Sequence, residues 1–557
     1  MNEKATTSAP GGEPVEVTVS SPEPERHEGG FTDKLRRLFG KRDAELARVY
    51  RDEDVTPIPP LAPGEIAVEM RPVRAPFAFV RIAHDPERNA YRYEVIEPPL
   101  SPEDEHTYAF VKDAFLRTLD LDIDALDRRG ARDYLADRLA KLLERHDVRM
   151  TPLARARISY YLERDFLGFG PIDAMMMDGS IEDISCDGPQ VPLFIFHRKY
   201  ESVRTNLAFP TDVALDGFVL QLVQRSGKHI SVAEPLVDAT LPDGSRLQAS
   251  LSREVTTRGS TFTIRKFRKD PFTPTDLMAF ETASPEMVAY LWLAVEHGAS
   301  GIICGGTASG KTTTLNALST FIPSRKKIVS IEDTREINLS HENWIPGVTR
   351  AGGAGERNSS GKRTGEVDMF DLLKAALRQR PEYLLLGEVR GQEAYVLFQA
   401  MATGHTVYST MHADSVASAV HRLESRPIEI PRNMLASLDF VVIQGETRVG
   451  ERRVRKMREL VEITGIDPRT GELLTNRVFH WDTSEQRFRY SGTSFVLGKI
   501  AEETHLTEDG LRKEFDRRVR LLSAVQKRGA RDIATFSRIV AAYAMEPDAI
   551  VAEQEAR

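Results

Sequence analysis

The sequence predicts an α/β protein: a C-terminal phosphate-loop domain, preceded by a smaller α/β N-terminal domain and a disordered N-terminal tail. Three observations carry that prediction. From about residue 277 onward, helical patterns alternate with short apolar strands, as a helix-covered sheet requires. Gly305-Gly306-Thr307-Ala308-Ser309-Gly310-Lys311-Thr312 fits G-x-x-x-x-G-K-[ST] between an apolar strand, Ile302 to Cys304, and a helix opening at Thr313. Residues 1–30 hold four prolines and four glycines with almost no large apolar side chain, too little to bury a core.

Bulk properties narrow the function classes. A chain of 557 residues suggests roughly three to four domains. With 41% hydrophobic and 28% charged residues, it is neither collagenous nor wholly disordered. Its 75 basic and 83 acidic residues leave a net charge of −8, which gives no support to nucleic-acid binding. Cys186 and Cys304 cannot form a disulfide scaffold or a four-Cys zinc site, so a reducing compartment is expected. The longest apolar run, Met287 to Val295, is about half of the roughly 20 residues that span a membrane. The N-terminus also lacks an apolar signal core, so a cytoplasmic protein is expected, acting on any membrane from its inner face.

The elements follow in order. Residues 1–63 form the tail and a Pro-rich linker containing Pro57, Pro59, Pro60 and Pro63. Within them, segment 31–51 carries seven basic against three acidic residues. Its Phe31, Leu35, Leu38, Phe39, Leu46, Val49 and Tyr50 fall on a helical stripe. Such a helix suits either an anionic membrane surface or a neighbouring domain. A first N-terminal subdomain, 64–150, opens with a hairpin (Pro76 to His84 and Tyr91 to Ile96) and continues with helices at 102–119 and 131–146. A second, 151–268, opens with a helix at 151–167 and has short strands near 181–186, 193–198 and 260–267. The Pro-containing stretch 269–276 reads as a hinge, and 277–557 as the phosphate-loop domain with a C-terminal helical extension.

The nucleotide site is the strongest signal. Glycines let backbone N–H groups converge on phosphate oxygens, and the helix N-terminus adds its dipole. Lys311 offers a point charge to the β- and γ-phosphates, and the Thr312 hydroxyl a ligand to Mg²⁺. Two further strands, Lys327 to Ile331 and Tyr383 to Leu386, end in Glu332-Asp333-Thr334-Arg335-Glu336 and Gly387-Glu388-Val389-Arg390. Strand ends of an open parallel sheet converge on its ligand. One carboxylate there can position Mg²⁺ and another the attacking water, although strand-end carboxylates also serve as helix caps. His405 and His412 lie seven apart; on one strand they occupy opposite faces, which disfavours a two-His zinc site.

These segments in this order resemble the type II/IV secretion ATPases, whose Walker A, Asp box, Walker B and His box they match. Ile181-Glu182-Asp183-Ile184-Ser185, Leu241 to Arg246, Arg258-Gly259-Ser260, Ile264 to Phe267 and Phe370 to Pro381 extend the resemblance over about 90–500. The sequence looks most like the archaeal branch, whose members drive archaellum or type IV pilus assembly; Val95-Ile96-Glu97-Pro98-Pro99 resembles the archaellum motors. The acidic-then-basic N-terminus and the Gly-rich insertion Gly352 to Gly365 match no family motif.

The resemblance implies a homohexamer of two-lobed subunits with a C-terminal RecA-like lobe. Residues Gly305 to Thr312, with Thr313, would bind ATP, and Thr312 would hold Mg²⁺, joined through water by Glu332 and Glu388. It further implies that Glu332 and Glu336 serve water activation and Mg²⁺, and that Glu388 completes the metal and water shell. Arg246, Arg258 and Arg265 match phosphate-facing arginines, and His405 and His412 would sense the γ-phosphate or a subunit interface. The implied partners are a polytopic membrane platform protein and pilin-like filament subunits, with peripheral membrane association and no nucleic acid. A DNA-translocating or conjugation motor and a slow regulatory nucleotide switch are the alternatives. No Asn-Lys-x-Asp or Leu-Ser-Gly-Gly-Gln segment suggests a GTPase or an ABC transporter.

Overall fold

The computed structural model describes residues 55–118, 128–268, 270–350, 352, 363–450 and 452–556, which form two compact units dividing between Thr211 and Asp212. That division falls inside the expected second N-terminal subdomain rather than at 269–276. The expected disordered tail and the 31–51 stripe lie outside the described residues, as does most of the Gly-rich insertion. Among the described residues, no helix is long and apolar enough to cross a membrane.

The first unit contains six strands: β1 (Ile66–Arg74), β2 (Ala78–Asp85), β3 (Ala90–Ile96), β4 (Ile181–Cys186), β5 (Pro192–His197) and β6 (Glu201–Ala208). They run in the order β1-β2-β3-β6-β5-β4, antiparallel except for β3 beside β6. The expected hairpin is β2–β3, turning at Asn89, whose φ of 47° is left-handed. β1 was not expected, because Pro72 and two register shifts interrupt its alternation. Helices Pro102–Thr118, Arg128–Arg145 and Pro152–Phe166 close near their expected limits around Val111, Phe115, Leu135, Leu139, Ile158 and Leu162. Thr151 starts the third helix by accepting a bond from Ala154 N, with proline in the first turn where a missing N–H costs nothing.

The second unit begins with helix Asp212–Arg225 and a meander, β7 (Leu236–Thr240), β8 (Arg246–Ser250) and β9 (Thr261–Arg265). The remainder surrounds one sheet: β10 (Gly301–Gly305), β11 (Ile328–Glu332), β12 (Trp344–Val348), β13 (Tyr383–Leu386), β14 (Thr406–Met411), β15 (Phe440–Val449), β16 (Arg452–Ile466), β17 (Leu473–Asp482) and β18 (Arg487–Tyr490). Its order is β12-β11-β13-β14-β10-β15-β16-β17-β18. The first six are parallel and the last three continue antiparallel.

Every residue of β10, β11, β13 and β14 is buried. Strands covered on both faces read as near-continuous apolar runs, which is why the sequence showed β10, β11 and β13. One face is covered by helix Pro285–Glu296, whose residues 287–295 are all buried. The apolar run too short for a membrane is therefore a core helix. Trp292 in it stacks on Phe321 at 5.1 Å and meets Tyr543 of the C-terminal helices. Arg518 lies 4.5 Å over the Trp292 ring and pairs with Glu296 at 2.6 Å, so the extension is locked to the core by a buried cation. The other face packs helices Met369–Leu377, Glu393–Ala402 and Val416–Glu424.

Candidate functional site

The parallel strands bring their carboxyl ends to one edge, and four short segments meet there. The first leaves β10. Gly305 must be glycine, since a Cβ would stand 2.3 Å from the Gln444 carbonyl oxygen. Gly310 adopts φ 92°, ending the loop and opening helix Lys311–Ser319. Between them Gly306, Thr307 and Ala308 are exposed, Ser309 is buried, and Thr312 and Thr313 are half-buried on the first helical turn. Lys311 folds back so that its Nζ donates to the Gly306 carbonyl at 2.8 Å. Burial lowers its proton affinity, while the charge of Glu388 opposes that shift and Arg265 adds to it.

The second segment leaves β11. Glu332, the last residue of the strand, is 2% exposed. Its Oε1 accepts from Glu336 N at 2.9 Å and Ile337 N at 3.0 Å, shaping the loop that follows. Its Oε2 is buried with no hydrogen-bond partner. One oxygen of this side chain thus caps the loop and the other is left for a ligand. Burial pushes its pKa from 4.5 to about 7 against the pull of those two amides, so the carboxyl is poised to hold or release a proton near neutrality. Half-buried Glu336 is tied to the loop helix through its carbonyl, which accepts Asn316 Nδ2 at 3.3 Å.

The third segment leaves β13. Gly387 N donates to Ile331 O, and a Cβ at Gly387 would approach Glu332 Cγ to 3.1 Å, so the glycine makes room for the Glu332 stem. Val389 N donates to Thr410 O, holding the segment against the end of β14. Glu388 accepts from Arg390 Nη2 at 2.7 Å and faces His412 Nε2 at 3.3 Å. Arg390 also reaches Asp333 at 3.2 Å and so joins two strand ends. His412, the fourth segment, loses proton affinity first to burial and then to Lys311, with Glu388 opposing; a neutral imidazole is favoured.

The structure therefore gathers Lys311, Glu332, Glu336, Glu388 and His412. His405 is not with them. It precedes β14 while His412 follows it, so the six-residue strand separates them by about 20 Å. The two histidines lie at opposite ends of a strand rather than on its opposite faces. At its end, His405 faces Ala400 O and Thr403 Oγ1, both at 3.3 Å. That placement, at the end of β14 away from the loop, does not fit γ-phosphate sensing, one of its two expected roles.

The arginines divide similarly. Arg265 is paired in register with Arg246, both exposed, at one end of β8–β9, and Arg265 acts on Lys311. Arg258 sits in the turn at the other end, exposed, on a tight bend made by Gly259 N donating to Thr256 O. Sequence reasoning missed Arg390 as the tie between carboxylates, although it follows Glu388 by two, and missed Gln444, whose Oε1 accepts Thr314 Oγ1 at 2.9 Å.

Among the described residues, no cluster of three His, Cys, Asp or Glu could hold a metal by itself. The donors present are hard oxygens: the Thr312 hydroxyl, the carboxylate of Glu388 and the unpartnered Glu332 Oε2. That set fits Mg²⁺, which takes one or two protein oxygens and completes its shell with phosphate and water. Cys304, beneath the loop, is pushed by burial to about 12 and stays a thiol.

Residues 168–476 match the family model described as type II/IV secretion system protein, and 42–99 that of the PilB3-like N-terminal region. The protein belongs to the type II/IV secretion family. An uncharacterised protein of Methanocaldococcus jannaschii is 37% identical over 400 residues, covering 71% of each chain. The type IV secretion system protein PtlH of Bordetella pertussis is 31% identical over 42% of this chain and 76% of its own. Among solved structures, this secretion-family chain is similar to the VirB11 ATPase of the Brucella suis type IV secretion system. There the identity is 24%, the coverage 51% and 92%, and the TM-score 0.27.

Proposed function

We propose that the protein hydrolyses ATP and converts the hydrolysis into motion that assembles or drives a type IV pilus-like filament at the cytoplasmic membrane. The observation that carries the hydrolytic step is Glu332. Its buried, unpartnered oxygen and near-neutral pKa stand at the same sheet edge as a phosphate loop with its lysine in place. Backbone amides of 305–313 would cradle the phosphates, and Lys311 would move from Gly306 O to the β- and γ-phosphates. Thr312, with Glu332 and Glu388 through water, would hold Mg²⁺, which neutralises charge on the phosphate oxygens when bound. Glu332 would take the proton of the attacking water, Glu336 would assist it, and Glu388 would orient water under the restraint of Arg390 and His412.

In this reading the working form is a homohexamer, and Arg246, Arg258 and Arg265 supply positive charge to the transition state. Its partners are a polytopic platform protein and pilin-like subunits. Segment 31–51 would hold the protein to the inner membrane face as a peripheral component. The filament it serves, archaellum, pilus or pseudopilus, is decided by identifying the subunit that copurifies with the membrane complex.

The direct test is steady-state ATP hydrolysis by the wild type and by Lys311→Ala. Turnover should fall by about a hundredfold or more, the usual cost of removing a preorganised donor from a charge-developing site. Retention of more than about a tenth of wild-type activity contradicts the assignment.

A further inference from the structure

The β15–β16 hairpin does not stop where the parallel sheet stops. β15 pairs with β10 from Gly301–Phe440 to Gly305–Gln444, then runs on past the phosphate loop to Val449, where β16 returns antiparallel. Gln444, the last residue held by β10, is 2% exposed. It accepts from Thr314 on the loop helix, and a Cβ on Gly310 would stand 3.0 Å from its Nε2. Loop, helix and hairpin are therefore one connected piece.

The same Cβ on Gly310 would stand 3.7 Å from Cδ of Arg455, so the Arg455 stem lies along the loop. Arg455 is exposed. It has no hydrogen bond or ion pair among the described residues, its cross-strand neighbour Glu446 included. Two residues further out on the same face, Arg448 stands directly opposite Arg453. Like charges facing across a ladder destabilise it unless an anion lies between or beside them. Position separates this cation from those already described. β14 and β13, which deliver His412 and Glu388, lie on one side of β10; β15 lies on the other. Arg455 therefore borders the flank of the loop away from the carboxylates that act on the γ-phosphate.

We propose that Arg455 is a nucleotide-contacting residue that holds the nucleoside end of the bound nucleotide, its ribose and base, with buried Gln444 fixing the hairpin at that distance. A guanidinium suits this end, since it donates to a ribose oxygen and lies flat against a base. The inference rests on the reading that the loop binds ATP and adds a second point of attachment to it.

Binding of ATP, ADP and inorganic tripolyphosphate, each with Mg²⁺, separates the possibilities. Arg455→Ala should weaken ATP and ADP by about tenfold or more, the range of a hydrogen bond to a charged group. Tripolyphosphate, which has no nucleoside end, should bind the variant as it binds the wild type, and Arg455→Lys should recover part of the loss. Equal weakening of all three ligands would make Arg455 a general source of positive potential, and unchanged ATP affinity would make it an ordinary surface cation; either result overturns the proposal. A wild type that binds none of the three would instead remove the nucleotide reading itself, whatever Arg455 does.

Discussion

The carboxylate edge of the parallel sheet and the β8–β9 hairpin are both rich in charge, yet they are built in opposite ways. At the sheet edge nearly every charge has its counterpart in the chain. Arg390 bridges Glu388 and Asp333, His412 faces Glu388, and half of Glu332 is bonded to backbone amides. On the hairpin, Arg246 faces Arg265 directly, Arg258 projects from the far turn, and all three are exposed with no bonded partner among the described residues. Restraining each other through hydrogen bonds, the carboxylates are preorganised. The arginines, by contrast, are exposed charge that no hydrogen bond among the described residues restrains. The charge of Arg265 reaches Lys311 within the chain, while a five-residue strand of about 15 Å separates it from Arg258. On the proposed function, the carboxylates would form one subunit's share of the site and Arg258 would reach it from a second.

That contrast predicts a graded set of effects. The largest belongs to Arg258→Ala, which should lower turnover by about 10³-fold or more while leaving ATP affinity nearly unchanged, because the charge it meets develops only in the transition state. Wild-type turnover in that variant would reduce Arg258 to a surface charge. Glu332→Gln comes next: binding should persist and hydrolysis fall by roughly a hundredfold, the contribution of a positioned base. Collapse of ATP affinity together with turnover would leave Glu332 only its capping role.

The same residue has a smaller, separable effect on stability without nucleotide. A carboxyl whose folded pKa is raised from 4.5 to about 7 keeps its proton in the folded state at pH values where the unfolded chain has lost it. Stability should therefore fall as pH rises through that window, by roughly 3 kcal/mol if the whole shift is expressed. Glu332→Gln should remove this slope, and urea denaturation at several pH values checks it. Parallel curves for the two proteins would show that the carboxyl ionises as freely folded as unfolded. The smallest effect is expected of His405→Ala, which should leave ATP affinity unaltered because the residue lies at the opposite end of β14 from the loop. A substantial loss of affinity would return His405 to the nucleotide site.

What the sequence made legible follows the range of the forces involved. The phosphate loop and its flanking strand and helix are local, so a contiguous motif specifies them. The buried strands β10, β11 and β13 are visible as apolar runs because both faces are covered. Illegible were features set by register between distant segments. Gln444 reaches the loop only because β15 pairs with β10, and Arg390 reaches Asp333 only because β13 lies beside β11. The strand period placed the two histidines on different faces, whereas the strand between them is just long enough to send them to different ends. Helix Asp212–Arg225 and strands β1, β6, β7 and β8 were also unforeseen; their partly exposed surfaces give weaker patterns than the buried core.

The claim that one subunit carries the carboxylates and another the arginine is tested most directly by mixing two inactive proteins. Arg258→Ala and Glu388→Gln subunits, assembled together, place an intact Arg258 of one subunit opposite an intact Glu388 of another at a fraction of the interfaces. ATP hydrolysis should partly return on mixing and rise with the proportion of such interfaces. If each arginine served its own subunit's nucleotide, every site would stay broken, and a mixture no more active than either protein alone would contradict the account.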